Sequence, residues 1–207
     1  MLPAMRDRSP PSEDERPRRG RSRRRPPEVN PAFLRNWALR YLDRYSASAA
    51  HLRRLMTIKL EASIRQHGTP RTEGQAAIEG VIAELTARGL LDDAGYARGR
   101  ARTLHRRGAS AQAIRAKLLA KGLDSEAIES ALQSLEDEAG DPELTAAIAY
   151  ARRRRIGPFR TATQRAERRE RDLAALDRQG FSYDLALRVI DADDIAALEA
   201  EAAGVEP

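Results

Sequence analysis

Apolar residues begin to recur at helical spacing from Pro31, where Phe33, Leu34, Trp37, Ala38, Tyr41, Leu42 and Tyr45 fall at i, i+1, i+4 and i+5. That spacing draws one apolar stripe along a helix. Ser46 or Ser48 is placed to cap a second helix carrying Leu52, Leu55, Met56 and Leu60, which should end near Gly68, with Pro70 blocking continuation. A third helix follows from about Arg71, with Ile78, Val81, Ile82 and Leu85 on one face and Gly89 suited to a left-handed C-terminal turn. Leu90 and Leu91 are expected to pack back as the chain leaves it.

The triplet recurs. Asp92 or Asp93 caps a helix with Tyr96, Ala97, Arg100, Ala101 and Leu104 that stops at Gly108; Ser110 caps another, with Ile114, Leu118 and Leu119, ended by Lys121-Gly122-Leu123. Asp124 or Ser125 starts a third through Ile128, Ala131, Leu132 and Leu135. After an acidic connection from Glu136 to Pro142, a helix through Leu144, Ala147, Ile148 and Ala151 ends at Ile156-Gly157-Pro158. An Arg/Glu-rich helix then runs from about Thr161 to Gln179, and Gly180-Phe181-Ser182 leads into a last one with Leu185, Leu187, Val189 and Ile190. Even the letters repeat: Ser48-Ala49 with Leu52-Arg53 and Met56 aligns with Ser110-Ala111, Ile114-Arg115 and Leu118, and Gly122-Leu123 through Leu132 aligns with Gly180-Phe181 through Ile190. A unit this small buries its own apolar face poorly, so neighbouring units should stack into an elongated body. The expectation is an all-α chain of three tandem three-helix, helix-turn-helix-like repeats forming an elongated, curved molecule. Its divisions are a disordered Arg/Pro-rich tail at 1–30, repeats at 31–91, 92–137 and 138–191, and an acidic C-terminal tail at 192–207.

Composition agrees with helices and adds charge. A third of the 207 residues are charged and only 4% aromatic, with a formal net charge of +6. The basic residues are almost all Arg, Lys occurring only at 59, 117 and 121. Arg enrichment reflects either a GC-rich coding sequence or contacts to phosphates and carboxylates, which the guanidinium fork binds in bidentate fashion. With no cysteine there is no disulfide framework and no thiolate chemistry, which fits a reducing cytoplasm. The N-terminus has no apolar signal core and no stretch reaches the roughly 18 apolar residues of a membrane span, so a cytoplasmic protein without membrane contact is expected.

Catalysis needs a constellation of groups, and none is visible. His51, His67 and His105 do not pair at the i, i+4 spacing of a helical zinc site, so no metal is expected. There is no Gly-rich phosphate loop ending in Lys-Ser or Lys-Thr, and no GxSxG serine. Asp92 and Asp93 sit where a helix cap belongs. The reading is a non-enzyme without a cofactor. What remains is cationic helix surface: Arg98, Arg100, Arg102, Arg106 and Arg107, then Arg115, Lys117 and Lys121, then the run Arg152, Arg153, Arg154 and Arg155, all with few acidic neighbours. The Glu/Arg alternation from Gln164 to Asp172 reads instead as i,i+4 pairing on a solvated face.

The stretch Gly89-Leu90-Leu91-Asp92-Asp93, Tyr96-Ala97, Arg100, Arg106-Arg107-Gly108, Ser110, Ile114, Leu118, Lys121-Gly122 and Ile128 resembles the central motif of the RecX family of bacterial regulators of the RecA recombinase. Ala38-Leu39-Arg40-Tyr41-Leu42 and Ser48 to Leu60 resemble that family's first repeat, and Gly180-Phe181-Ser182 with Ile190 its last, so the likeness covers about residues 32 to 191. It departs where Leu55-Met56-Thr57-Ile58 replaces a more basic segment and in the regular Arg/Glu-rich helix of the third repeat. The resemblance implies a curved molecule lying in the groove of the RecA–DNA filament, inhibiting ATP hydrolysis and strand exchange in recombination and repair.

On that reading the filament contacts are Arg98, Arg102, Arg106, Arg107, Arg115, Lys117, Lys121, Arg152, Arg153, Arg154 and Arg155, with DNA phosphates as further partners and the protein acting as a monomer. Trp37, Tyr41, Tyr96, Leu104, Ile114 and Leu118 are expected in the core. The alternative is a direct DNA- or RNA-binding helix-turn-helix protein using Ser110 to Lys121 as recognition helix.

Overall fold

A computed structural model describes residues 26–138 and 140–205. Among them are ten α-helices and no strand: α1 (Pro31–Leu42), α2 (Ala49–His67), α3 (Arg71–Ala87), α4 (Asp93–His105), α5 (Ala111–Leu119), α6 (Ser125–Glu136), α7 (Pro142–Arg154), α8 (Ala162–Asp177), α9 (Tyr183–Ile190) and α10 (Ile195–Ala202), with a 3-10 turn at Gly157–Phe159 between α7 and α8. Side-chain caps open most of them. Asn30, Ser48, Asp92, Ser110, Asp124, Asp141, Ser182 and Asp194 each accept a first-turn backbone N–H, each worth about 1 kcal/mol. Where two caps were possible in the sequence, the earlier-placed Asp92 and Asp124 and the later Ser48 fill the role.

The helices form three sets by what they bury. Leu34, Leu52, Met56, Leu60, Ile78 and Leu85 of α1 to α3 make one core, Ala97, Ile114, Leu118, Ile128 and Leu132 of α4 to α6 a second, and Leu144, Ala151, Leu176, Phe181, Val189 and Ile190 of α7 to α9 a third, which Leu198 and Ala202 of α10 join. Leu104, Ile114 and Leu118 are buried as expected, whereas Trp37, Tyr41 and Tyr96 are only half-buried. Leu34 and Ala38 fill the α1 core positions, so the aromatic row one helical step away lies over the α1–α2 edge. There Trp37 stacks on Tyr41 at 5.4 Å between centroids, Tyr41 meets Tyr45 at 5.1 Å, and the Lys59 ammonium lies 4.4 Å from the Trp37 ring centre.

Two joints connect the sets, and both use the same bonds. At the first, the buried Ser48 hydroxyl donates to the Lys121 carbonyl oxygen (2.9 Å), and the Ala49 N–H donates to Asp93 Oδ1 (2.8 Å). At the second, the buried Ser110 hydroxyl donates to the Gln179 carbonyl oxygen (2.5 Å), and the Ala111 N–H donates to Glu143 Oε1 (2.5 Å). The turn glycine that follows each carbonyl, Gly122 or Gly180, has φ of 76° or 86°. Each packs against the start of the preceding set's middle helix, where Ala50 and Gln112 leave no room for a Cβ. The second joint adds a His105 Nε2 bond to the Pro142 carbonyl oxygen at 2.7 Å.

Three further expectations change. Of the tail expected at 1–30, residues 1–25 lie outside the described residues, but 26–30 belong to the first set: Val29 is buried, its N–H donates to Ser63 Oγ (2.9 Å), and the Pro26 carbonyl bonds His67 Nε2 (2.7 Å). Leu91 packs back after α3, while Leu90 is exposed. The stretch from 192 onward, expected as an acidic tail, carries α10, which packs on α7.

Candidate functional site

The expected cationic residues are on the surface but differ in what holds them. Arg98 and Arg102 share a face of α4, one turn apart, and Arg106 and Arg107 follow in the exposed turn at its end. Arg102 Nε donates to Glu138 (2.9 Å), and Arg115 makes a bidentate pair with Glu129, both bonds 2.8 Å. The same pair joins Arg53 to Glu79 at the equivalent place in the first set. Exposed pairs of this kind contribute about 1 kcal/mol or less, so a ligand exchanges them readily. Lys117 is exposed on α5. Lys121 lies near the first set, since burial first, then Arg54 and Lys121, hold the His51 imidazole below its ordinary pKa. Arg98, Arg106, Arg107, Lys117 and Lys121 have no ion-pair partner among the described residues.

The Arg152 to Arg155 run divides by direction. Arg152 pairs with Glu199 of α10 and lies over the Phe159 ring at 5.3 Å. Arg153 and Arg154 lie 5.8 and 6.0 Å from the centre of the buried Tyr150 ring. Arg155 takes the left-handed conformation (φ 54°) that ends α7, a backbone state costly for a side chain with a Cβ. It turns the chain into buried Ile156 and the 3-10 turn, bringing α8 alongside the end of α7.

Between those two helices lies a cleft of about 630 Å³ lined by Tyr150, Arg153, Arg154, Ile156, Arg160, Arg168, Arg171, Asp172, Ala175, Arg178 and Gln179. Its wall is fixed by Asp172, whose side chain is only 2% exposed. Asp172 accepts from Arg160 Nε (2.6 Å) and Nη2 (2.8 Å) and from the Gly157 N–H (3.0 Å). Burial pushes the Asp172 carboxyl up, but these bonds and the Arg160 and Arg168 charges outweigh it, leaving its pKa below the ordinary value.

Arg160, Arg168, Arg171 and Arg178 were not among the residues singled out by sequence. The stretch Gln164 to Asp172 is largely exposed, as expected, but the expected i,i+4 pairs do not form among the described residues: the one ion pair within it joins the neighbours Arg169 and Glu170. Arg169 pairs with Asp191 (2.6 Å) and Arg165 with Asp193 (3.4 Å) and with the carbonyl oxygens of Ile190 and Ala192, leaving Arg168 and Arg171 to face the cleft. The available signal was Asp172 itself: it immediately precedes Leu173 and lies four residues before Leu176, both core residues, and so is turned inward where a carboxylate needs a partner.

Each histidine is engaged by the protein: His51 with Tyr41 and Arg54, His67 with Pro26, His105 with Pro142. No group of three potential metal ligands occurs among the described residues, and none of their helices is long and apolar enough to cross a membrane. The candidate recognition helix α5 is nine residues long, and the Ser110 cap that opens it is buried in the second joint, with Gln112 against Gly180. The end of a recognition helix that reads base edges is thus occupied by the next set.

Residues 92–132, spanning α4 to α6 almost entirely, match the family model described as "RecX, second three-helix domain". The chain is 40% identical over 174 residues to a regulatory protein RecX of Myxococcus xanthus, covering 84% of this chain and 92% of that one. It is 30% identical over 171 residues to a regulatory protein RecX of Agrobacterium fabrum, covering 79% and 88%. A crystal structure of a regulatory protein RecX superposes with a TM-score of 0.54 over 77% of this chain and 70% of that one, at 21% identity, a likeness of fold.

Proposed function

Because the chain belongs to the RecX family of regulatory proteins, we propose that it binds the RecA–DNA filament and inhibits RecA ATP hydrolysis and strand exchange. The observation that carries this reading, beyond family membership, is the cationic surface on the second set and the start of the third. Arg98, Arg106, Arg107, Lys117, Lys121, Arg153, Arg154 and Arg155 lie on that surface without a carboxylate partner among the described residues. Arg102, Arg115 and Arg152 reach the filament by exchanging Glu138, Glu129 and Glu199 for acidic groups of the partner. Such a surface sets encounter rate and orientation more than final affinity. The protein acts as a monomer in the cytoplasm, with DNA phosphates as secondary contacts, and has no catalytic role.

Titration into a RecA ATPase assay on single-stranded DNA tests the proposal. The expected result is a dose-dependent fall in rate that Arg106→Glu/Arg107→Glu weakens by about tenfold or more in half-maximal concentration, as loss of close charge complementarity implies. An unchanged rate at every stoichiometry, or full inhibition by the double variant, overturns it.

A further inference from the structure

We propose that the arginine cleft between α7 and α8 is a binding site for the phosphodiester backbone of nucleic acid, one that works without RecA. Five of its guanidinium groups, on Arg153, Arg154, Arg168, Arg171 and Arg178, make no ion pair with any described residue. The one carboxylate in the lining, Asp172, is buried and spent on Arg160 and Gly157, so it does not neutralise the cleft. Crowding unpaired like charges into a concavity opposes folding by self-repulsion. A polyanionic ligand relieves that repulsion.

The arrangement favours a nucleic acid over an acidic protein segment. A bound peptide brings backbone N–H donors that need acceptors. The lining offers almost only donors: both Asp172 oxygens accept intramolecular bonds and the Gln179 carbonyl oxygen is held by Ser110. The phosphates of a nucleic-acid backbone present only acceptors, which the guanidinium fork takes in bidentate fashion. The geometry suits a strand as well. Arg168, Arg171 and Arg178 follow α8 over about 15 Å at 1.5 Å per residue, while Arg153 and Arg154 face them from the end of α7. That length exceeds the spacing between consecutive phosphates of one strand, so the row meets more than one of them.

The test is binding of the full chain to a labelled single-stranded oligonucleotide by fluorescence anisotropy across a salt series, with no RecA present. Removing three phosphate contacts with Arg168→Gln/Arg171→Gln/Arg178→Gln is expected to weaken low-salt binding by about tenfold or more and to reduce the slope of log K against log salt by about 2. Arg153→Gln/Arg154→Gln, on the opposite wall, should act in the same direction, covering the case in which the first variant misfolds. Arg40→Gln/Arg44→Gln/Arg65→Gln removes the same charge from exposed positions of the first set and should leave the slope nearly unchanged. The proposal fails if the wild-type chain does not bind the oligonucleotide at low salt, or if both cleft variants keep the wild-type slope. It fails equally if the first-set variant loses as much, or if polyglutamate competes as well as unlabelled oligonucleotide at equal charge, the outcome expected of an acidic-protein site.

Discussion

The Ser110 hydroxyl donates to the Gln179 carbonyl oxygen at 2.5 Å while accepting the Ala113 N–H at 3.1 Å, so one buried side chain both starts α5 and ties the second set to the third. Ser48 does the same with Lys121 and His51 at the first joint. Replacing Ser110 with Ala removes a cap worth about 1 kcal/mol and strands a carbonyl whose lost partner costs about 1–3 kcal/mol. The expected outcome in differential scanning calorimetry is a lower melting temperature and a broadened or split transition as the second and third sets uncouple. A single transition at the wild-type temperature would count against the joint as a coupling element.

Asp172 makes the third core sensitive to acid. Its folded pKa lies below the ordinary 3.8, so its contribution is complete above that value and is lost as pH falls through the lower folded one. Breaking the pair by Asp172→Asn should destabilise the protein by about 3–5 kcal/mol at neutral pH, with the gap to wild type closing under strong acid. Urea unfolding of both proteins from neutral pH downward checks this, and a gap independent of pH would refute it.

Glu143 predicts the opposite slope. Burial first, with Asp141 adding to it, pushes its pKa above the ordinary 4.5 despite the Ala111 N–H and the nearby His105. A raised folded pKa means the native state holds the proton more tightly, so the fold loses stability as pH climbs from the ordinary value through the raised one. Glu143→Gln retains an acceptor for Ala111 and has no charge to desolvate. It should exceed wild type in urea midpoint at neutral pH and match it near pH 4, in about the range where an ordinary Glu protonates; a variant weaker than wild type at every pH would show that the charge itself holds the joint.

Much of this architecture can be read from the letters because helix ends are local. Asp92, Ser110 and Asp124 announce starts, and Gly68, Gly108 and Gly122 announce turns, from residues within one helical turn of the event. The aligned Ser-Ala pairs at 48 and 110 likewise mark real equivalence. Their bonding partners are not legible, since a capping serine looks the same whether or not its hydroxyl also reaches a carbonyl 73 or 69 residues away. The α7–α8 cleft was hidden for a related reason. Glu167 and Glu170 stand beside Arg168 and Arg171 in sequence, but Asp191 and Asp193, just after α9, claim Arg169 and Arg165 and so settle which guanidinium groups remain. In α10, Ile195, Leu198 and Ala202 have helical spacing, but the acidic composition around them suggested a tail.

The constraint that sets the second three-helix set on the first also sets the third on the second. An object advanced by one recurring operation traces a screw, and a screw has a handedness and a pitch before it meets any partner. Ser48 and Ser110, invisible in a list of charged residues, are therefore where the step from one set to the next is held.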